Sequence, residues 1–499
     1  MKQLGRFHLL RDIFTFSSTS IFSQILGVIS SFVVAKILGP TDFGVWNAVS
    51  IALVYGAFCD LGILPAMARD LPFYIGQGNI QKASEIRNTA YVTTLVASLL
   101  VMVVLVGISF DKTQSPYMVL GLRGMAVVIV LQRVYIYYLT VFRCYNEFTL
   151  LSKLQVVFAV INTVFVILLV IEYGFMGRIS AAILVYIPVL CYVIFRKKNK
   201  PVFKFNKNIA WHLTKIGIPL TLSSIFAGFL TTVDRLMIIK YLDATQLGYF
   251  GISLMITSLI FLIPGSVNQV LYPRIANRFG EAQRDILSIE NYILTPTIII
   301  AYLVPILIGF GYLILPIVIE LFLPQYLEGL SAARIVLIGM FFSSIAGTTD
   351  YLLVIVGKLK QYVIIGFCVL FLNISMNFIV LELGWGISGI ALSGTLGMSF
   401  FYSAAFIGYA LFLYSKSKLD FVKFGLKIYL PFIYMYSVLI LLEKTVQFHA
   451  FSPILGDFPL VMMRVGLFLL CCVPLLYFAC KELGVEFSIA GVIHYLNQR

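Results

Sequence analysis

The sequence predicts an all-α integral membrane protein with about fourteen transmembrane helices: two pseudo-symmetric six-helix bundles and one extra helix pair. Three observations carry this expectation. The 499 residues are 60% hydrophobic and 12% charged, where a globular domain carries roughly 25% charged residues. The apolar runs reach about 20 residues without the alternation of barrel strands, so the spanning elements are helices. Lysine and arginine also gather in alternate connections between those runs, the positive-inside pattern.

The first six spans are read at 12–36, 42–68, 88–109, 116–142, 151–171 and 177–195. The next six fall at 212–240, 245–273, 291–319, 332–356, 361–381 and 386–413, and a final pair at 424–443 and 458–480. One set of connections holds about 25 basic residues, including the run Arg196, Lys197, Lys198, Lys200, Lys204 and Lys207. The other set holds about 7, among them Lys36, Arg178 and Lys240. This asymmetry places both termini in the cytoplasm, and its regularity supports an even span count. The first apolar run is long enough to span and lacks a small-residue cleavage site, so it is expected to stay.

The basic, Pro201-containing segment 196–211 reads as a linker. It divides the chain into 1–200, an N-terminal six-helix bundle, 201–415, a second one, and 416–499, the extra pair with a short cytoplasmic tail. An internal repeat supports this. Lys36-Ile-Leu-Gly-Pro-Thr41-Asp-Phe-Gly44 returns as Lys240-Tyr-Leu-Asp-Ala-Thr245-Gln-Leu-Gly248. Leu64-Pro65-Ala-Met-Ala68 faces Tyr272-Pro273-Arg-Ile-Ala276, and Gly174-Phe-Met-Gly177 faces Gly386-Ile-Ser-Gly389. An even number of spans per copy makes the repeats parallel, a transporter signature with the substrate site between halves.

Enzymatic signatures are missing: no GxxxxGK[ST] phosphate loop, no HExxH, no GxSxG and no EF-hand loop. The seven cysteines form no CxxC motif or Cys/His cluster, so no metal site, disulfide framework or cofactor is expected. The net charge of +14 lies in loops between apolar runs and does not indicate nucleic acid.

What remains is charge within the membrane, where each ionised group costs about 3 kcal/mol and demands a partner or a wet cavity. The fourth span carries Arg123 and Arg133, and the seventh carries Lys215, Asp234 and Arg235. Asp60 and Asp350 lie in the second and tenth spans. Two readings stand side by side. In one, Arg133 and Arg235, with Arg123 and Lys215, line a cationic cavity, since the guanidinium fork suits phosphate. In the other, the same groups pair with Asp60, Asp234 and Asp350 to lock helices together. Arg123 and Lys215 are equally able to snorkel to an interface. Tyr135, Tyr137 and Tyr138 suit sugar stacking or ordinary packing. Intramembrane amides such as Asn373 and Asn377 are expected to bond between helices.

Leu38-Gly-Pro-Thr-Asp-Phe-Gly44, Asp60-Leu-Gly62-Ile with Arg69, Asp234-Arg235, and Gly386-Ile-Ser-Gly389-Ile-Ala-Leu resemble polysaccharide-biosynthesis membrane proteins. These are lipid-linked oligosaccharide flippases of the multidrug/oligosaccharidyl-lipid/polysaccharide exporter superfamily. The resemblance covers about residues 10–415. It implies a secondary transporter rather than an enzyme, in the cytoplasmic membrane, moving an anionic polyprenyl-(pyro)phosphate-linked oligosaccharide. It maps the anionic head onto Arg133 and Arg235, and the last pair resembles that of fourteen-helix members. Expected partners are the glycolipid, membrane lipid and a coupling ion, H+ or Na+, with the protein a monomer. A multidrug antiporter of the same fold, and a membrane-embedded glycan transferase or polymerase, are the alternatives.

Overall fold

The structure is a computed structural model and describes residues 2–111, 114–195, 201–283, 285–414, 418–445 and 458–482. Every regular element among them is helical. In chain order these are α1 (Lys2–Gly56), α2 (Ile63–Gly76), α3 (Ile80–Ile108), α4 (Pro116–Cys144), α5 (Phe148–Leu184), α6 (Tyr186–Phe195), α7 (Lys207–Tyr241) and α8 (Ala244–Glu281). They continue with α9 (Glu290–Phe322), α10 (Leu330–Ile355), α11 (Leu359–Glu382), α12 (Gly386–Ser393), α13 (Tyr402–Tyr414), α14 (Lys418–Thr445) and α15 (Phe458–Glu482).

Among the described residues eleven helices are long and apolar enough to cross a membrane. A twelfth, Lys207–Pro219 with Ser224–Tyr241, is bent by 52°, where Pro219 removes a backbone donor. Two of the eleven, Thr19–Gly56 and Phe148–Phe195, run for 38 and 48 residues, well beyond the roughly 20 that one crossing needs. Each is interrupted by a glycine at positive φ, Gly39 at 72° and Gly174 at 55°. Counted as two spans apiece, they bring the total to the fourteen expected from the sequence.

The chain forms two compact units, Met1–Gly251 and Ile252–Arg499. The expected linker at 196–211 lies within the first, and its described part is tied down there. Val202 N donates to Asn88 Oδ1 at 3.0 Å and Asn206 N to Thr89 Oγ1 at 3.3 Å. Helix α7 joins the same unit through Tyr55 Oη and Thr232 Oγ1, 2.7 Å apart, and through His212 Nε2 and Asp70 Oδ2, 2.9 Å apart. Helix α4 is the hub, packing on α1, α2, α3, α5 and α6, so a charge at its middle has little access to solvent.

The repeat motifs have a structural meaning in this unit. Thr41 Oγ1 and Thr245 Oγ1 share a hydrogen bond of 2.9 Å. A Cβ on Gly44 would lie 1.6 Å from Ala244 O, and one on Gly248 would lie 1.8 Å from Pro40 O. Pro40 and Ala244 are equivalent positions of the repeat, as are Gly44 and Gly248. The two copies therefore pack on each other about a local two-fold axis, each glycine beneath the first residue of the other copy's helix.

The Gly-x-x-Gly repeat makes helical hairpins. Gly174 and Gly386 adopt φ of 55° and 56° at equivalent places, where an L side chain is strained. Three residues later, Gly177 rests on Leu169 O and Gly389 on the Val380 side chain, so the returning helix can touch the one before it. Replacing Gly174 with alanine is expected to cost about 1–3 kcal/mol through backbone strain alone, read as a lowered unfolding temperature in detergent. Alanine at Gly76, with negative φ and open space around it, is the control.

In the second unit α9 is apolar on all sides and is packed by α10, α14 and α15. The C-terminal pair is part of this core: Phe468 of α15 sits against Gly309, and Glu443 of α14 pairs with Arg334 of α10 at 3.6 Å. The glycine-rich opening of the twelfth span leads into a π-helix, Gly394–Phe401, between α12 and α13. There Gly397 lies against the Asn373 backbone.

Candidate functional site

The most buried charges meet at a break in the second span. Residues 57–62 leave the helix between α1 and α2, with Leu61 and Gly62 at φ of 50° and 80°. The break exposes backbone donors to the Asp60 carboxylate, which accepts from Gly62 N at 3.3 Å. Arg133, halfway along α4, donates from Nη2 to Asp60 Oδ2 at 2.5 Å, and Thr94 Oγ1 adds a bond of 3.4 Å. The Arg133 and Asp60 side chains are 5% and 1% exposed. Arg133 therefore lies in a buried ion pair with Asp60, although its Nε makes no hydrogen bond. The signal for the break is in the sequence: Asp60, Gly62 and Pro65 fall within six residues.

Three other arginines lie near the opposite end of the first unit, where Gly39, Pro116, Gly174 and Tyr241 mark helix ends. Arg178, read from the sequence as a loop residue, stands four residues past Gly174 and so about 6 Å along the returning helix. Its guanidinium lies 3.7 Å from the ring centre of Trp46. Its Nε and Nη1 are buried without a hydrogen-bond partner, and no carboxylate pairs with it among the described residues. The sequence signal was the shortness of the Gly174–Gly177 turn, which leaves no loop for Arg178 to occupy.

Arg235 of α7 is half-buried; Nη2 donates to Thr231 O at 3.4 Å and Nε has no partner. Arg123 is exposed, donates from Nε to Ser109 Oγ at 3.0 Å and stacks on Phe110 at 5.2 Å. Lys215 is exposed in the first half of α7, toward the other end of the unit. Asp234 is half-buried beside Arg235. Asp350 falls within α10, and its side chain lies outside the described residues.

The tyrosines of α4 pack inward. Tyr135 stacks on Phe158 with centroids 5.1 Å apart, and the fully buried Tyr137 donates to Arg87 O at 3.1 Å. Asn377 accepts from Ser393 in the second unit, helix to helix. No group of three or more His, Cys, Asp or Glu side chains able to hold a metal occurs among the described residues.

The profile of the family described as "Polysaccharide biosynthesis protein" matches residues 33–330. The chain belongs to that family. Among solved structures, this family member resembles the lipid II flippase MurJ in an inward closed conformation, with a TM-score of 0.68 at 15% identity. That match covers 94% of this chain and 99% of the other. It also resembles multidrug resistance MATE family transporters of the MOP superfamily. An outward-facing one gives a TM-score of 0.60 at 14% identity, covering 83% of this chain and 96% of that one. An inward-facing one gives 0.57 at 18%, covering 82% and 95%. No curated protein matches the chain. The polysaccharide biosynthesis protein thus has the multi-pass helical fold of MOP-superfamily flippases and transporters.

Proposed function

We propose that this protein is a flippase carrying an anionic polyprenyl-phosphate- or pyrophosphate-linked oligosaccharide across the cytoplasmic membrane for cell-surface polysaccharide synthesis. The observation that carries the reading is Arg178, a guanidinium on Trp46 with two buried donors unused and no carboxylate paired with it among the described residues. A cation–π contact contributes about 0.5–2 kcal/mol, but it leaves the two buried N–H groups unsatisfied, at about 1–3 kcal/mol each. An anion completes the balance, and phosphate fits the paired donors.

In this reading Arg235 is the second contact to the head group and Arg123 an entry contact at the same end. Lys215 serves the opposite end. Arg133 acts through Asp60, as a positioning residue. Asp234 and Asp350, with Asp60, are the acids on which H+ or Na+ coupling would act. Both termini are cytoplasmic and the protein works as a monomer. The lipid II flippase whose fold it shares supports a lipid-linked cargo. The MATE fold keeps an organic-cation antiporter as the rival outcome, but a guanidinium such as that of Arg178 is unsuited to a cationic drug.

The test uses Trp46 as reporter, in a chain with Trp211 and Trp385 replaced by phenylalanine. Polyprenyl phosphate is expected to change Trp46 fluorescence, and Arg178→Ala to weaken that binding about ten- to a hundred-fold, as loss of a charged hydrogen bond costs about 1.5–3 kcal/mol. Arg178→Lys should recover only part, lacking the fork. Surface glycan export in cells carrying each variant is the second readout. Normal export and unaltered binding by a folded Arg178→Ala protein would refute the phosphate seat, and preferential binding of an organic cation would favour the antiporter.

A further inference from the structure

A groove of about 560 Å³ opens on the first unit among α1, α5 and α6, at the end where α5 begins. Its walls are apolar: Val157 and Ile161 of α5 face Pro188, Val189 and Tyr192 of α6. Thr19, Thr149, Ser152 and Lys153 break that lining. Ser152 is 4% exposed, and its Oγ is buried with no hydrogen-bond partner, although serines in helices commonly bond the preceding turn. Lys153 is exposed at the mouth, five residues or about 8 Å from the start of α5, with no ion pair among the described residues.

We propose that this groove is a binding site for an anionic phospholipid, one acyl chain lying between α5 and α6. Lys153, at the mouth, meets its phosphate. At about 560 Å³ the groove has room for a hydrocarbon chain, and the charge at its mouth selects the head group. Position agrees: an ammonium about 8 Å below the helix start reaches the head-group level by extending its stem. Apolar walls alone would accept any lipid, so the lysine supplies the charge preference. The site is separate from Arg178, and its failure would leave the flippase reading untouched.

Native mass spectrometry of the full chain in detergent, with phosphatidylglycerol or phosphatidylcholine of matched chains, tests the site. Phosphatidylglycerol is expected to bind in preference. Lys153→Gln should lower its binding about five-fold, equivalent to about 1 kcal/mol per basic residue at an anionic surface, and lower phosphatidylcholine binding less, because choline offsets the charge of its phosphate. Val157→Trp should block both by filling the groove. Equal binding of the two lipids by the parent, or an undiminished preference in Lys153→Gln, overturns the proposal. So does displacement of phosphatidylglycerol by polyprenyl phosphate at equal concentration, which would assign the groove to cargo. Because Lys153 is exposed, its variant tests the proposal even if Val157→Trp fails to fold.

Discussion

Replacing Asp60 with alanine is expected to destabilise the protein by about 3–5 kcal/mol, because it strands the Arg133 guanidinium in the centre of a packed helix bundle. The surroundings leave little room for relief. Arg133 is sealed by α4's neighbours, its Nε is already without a partner, and of the two groups that donate to Asp60 only the Thr94 hydroxyl can turn to accept. Arg133→Ala should be as costly, since it leaves the carboxylate alone. The double replacement Asp60→Leu with Arg133→Met should recover most of the loss, as apolar substitutes for buried pairs commonly do. Unfolding temperature in detergent and the yield of monodisperse protein measure all three. A single Asp60→Ala variant as stable as the parent would show that water reaches the pair. The double variant also separates the roles of Arg133: folded and exporting, it marks a structural lock; folded and silent, it marks a residue needed for transport.

A second large effect is expected at the repeat contact. A Cβ on Gly44 would lie 1.6 Å from the Ala244 carbonyl oxygen, closer than any relaxation of side chains can relieve, because the obstacle is backbone. Gly44→Val should separate α1 from α8 and cost about 3 kcal/mol or more, the upper range for overpacking. Gly248→Val should match it, since Gly248 meets Pro40 in the same way. Gly425→Ala in α14 has nothing within 4 Å of the added carbon and should be neutral or gain up to about 1 kcal/mol from helix propensity. Thermal unfolding of the three variants side by side decides the matter. A Gly44→Val protein as stable as Gly425→Ala would mean the helices do not approach so closely.

The fold class was legible because composition and charge alternation act over the whole chain and tolerate local error. The hairpin glycines were legible for a different reason. Gly174 and Gly386 occupy a backbone region nearly closed to other residues, so the requirement is written in the residue type itself. The partner of Arg133 was not legible. Three acids lay in membrane spans, and choosing Asp60 depends on which face of α4 meets the break between α1 and α2, a matter of packing that spacing does not encode. The break at 57–62 was missed because its apolar flanks satisfy a hydropathy reading, although Asp60, Gly62 and Pro65 oppose a continuous helix. Arg178 was missed because counting charges by connection assigns every basic residue near a turn to the turn. In a hairpin this tight, four residues are enough to carry a side chain back into the bundle. The alignment of the repeats pointed to similarity between the copies but held no hint that they touch.

That touching says something about symmetry. When each member of a contact is the counterpart of the member it meets, the arrangement is the one two identical chains adopt across an axis of symmetry. Two unlinked copies of this motif would make the same meeting of glycine and carbonyl, with any substitution there felt twice. The linked copies differ around the contact: Pro40 is matched by Ala244, and Asp42 by Gln246 in the aligned sequence. The two glycines, and the Thr41–Thr245 pair beside them, have kept their identities.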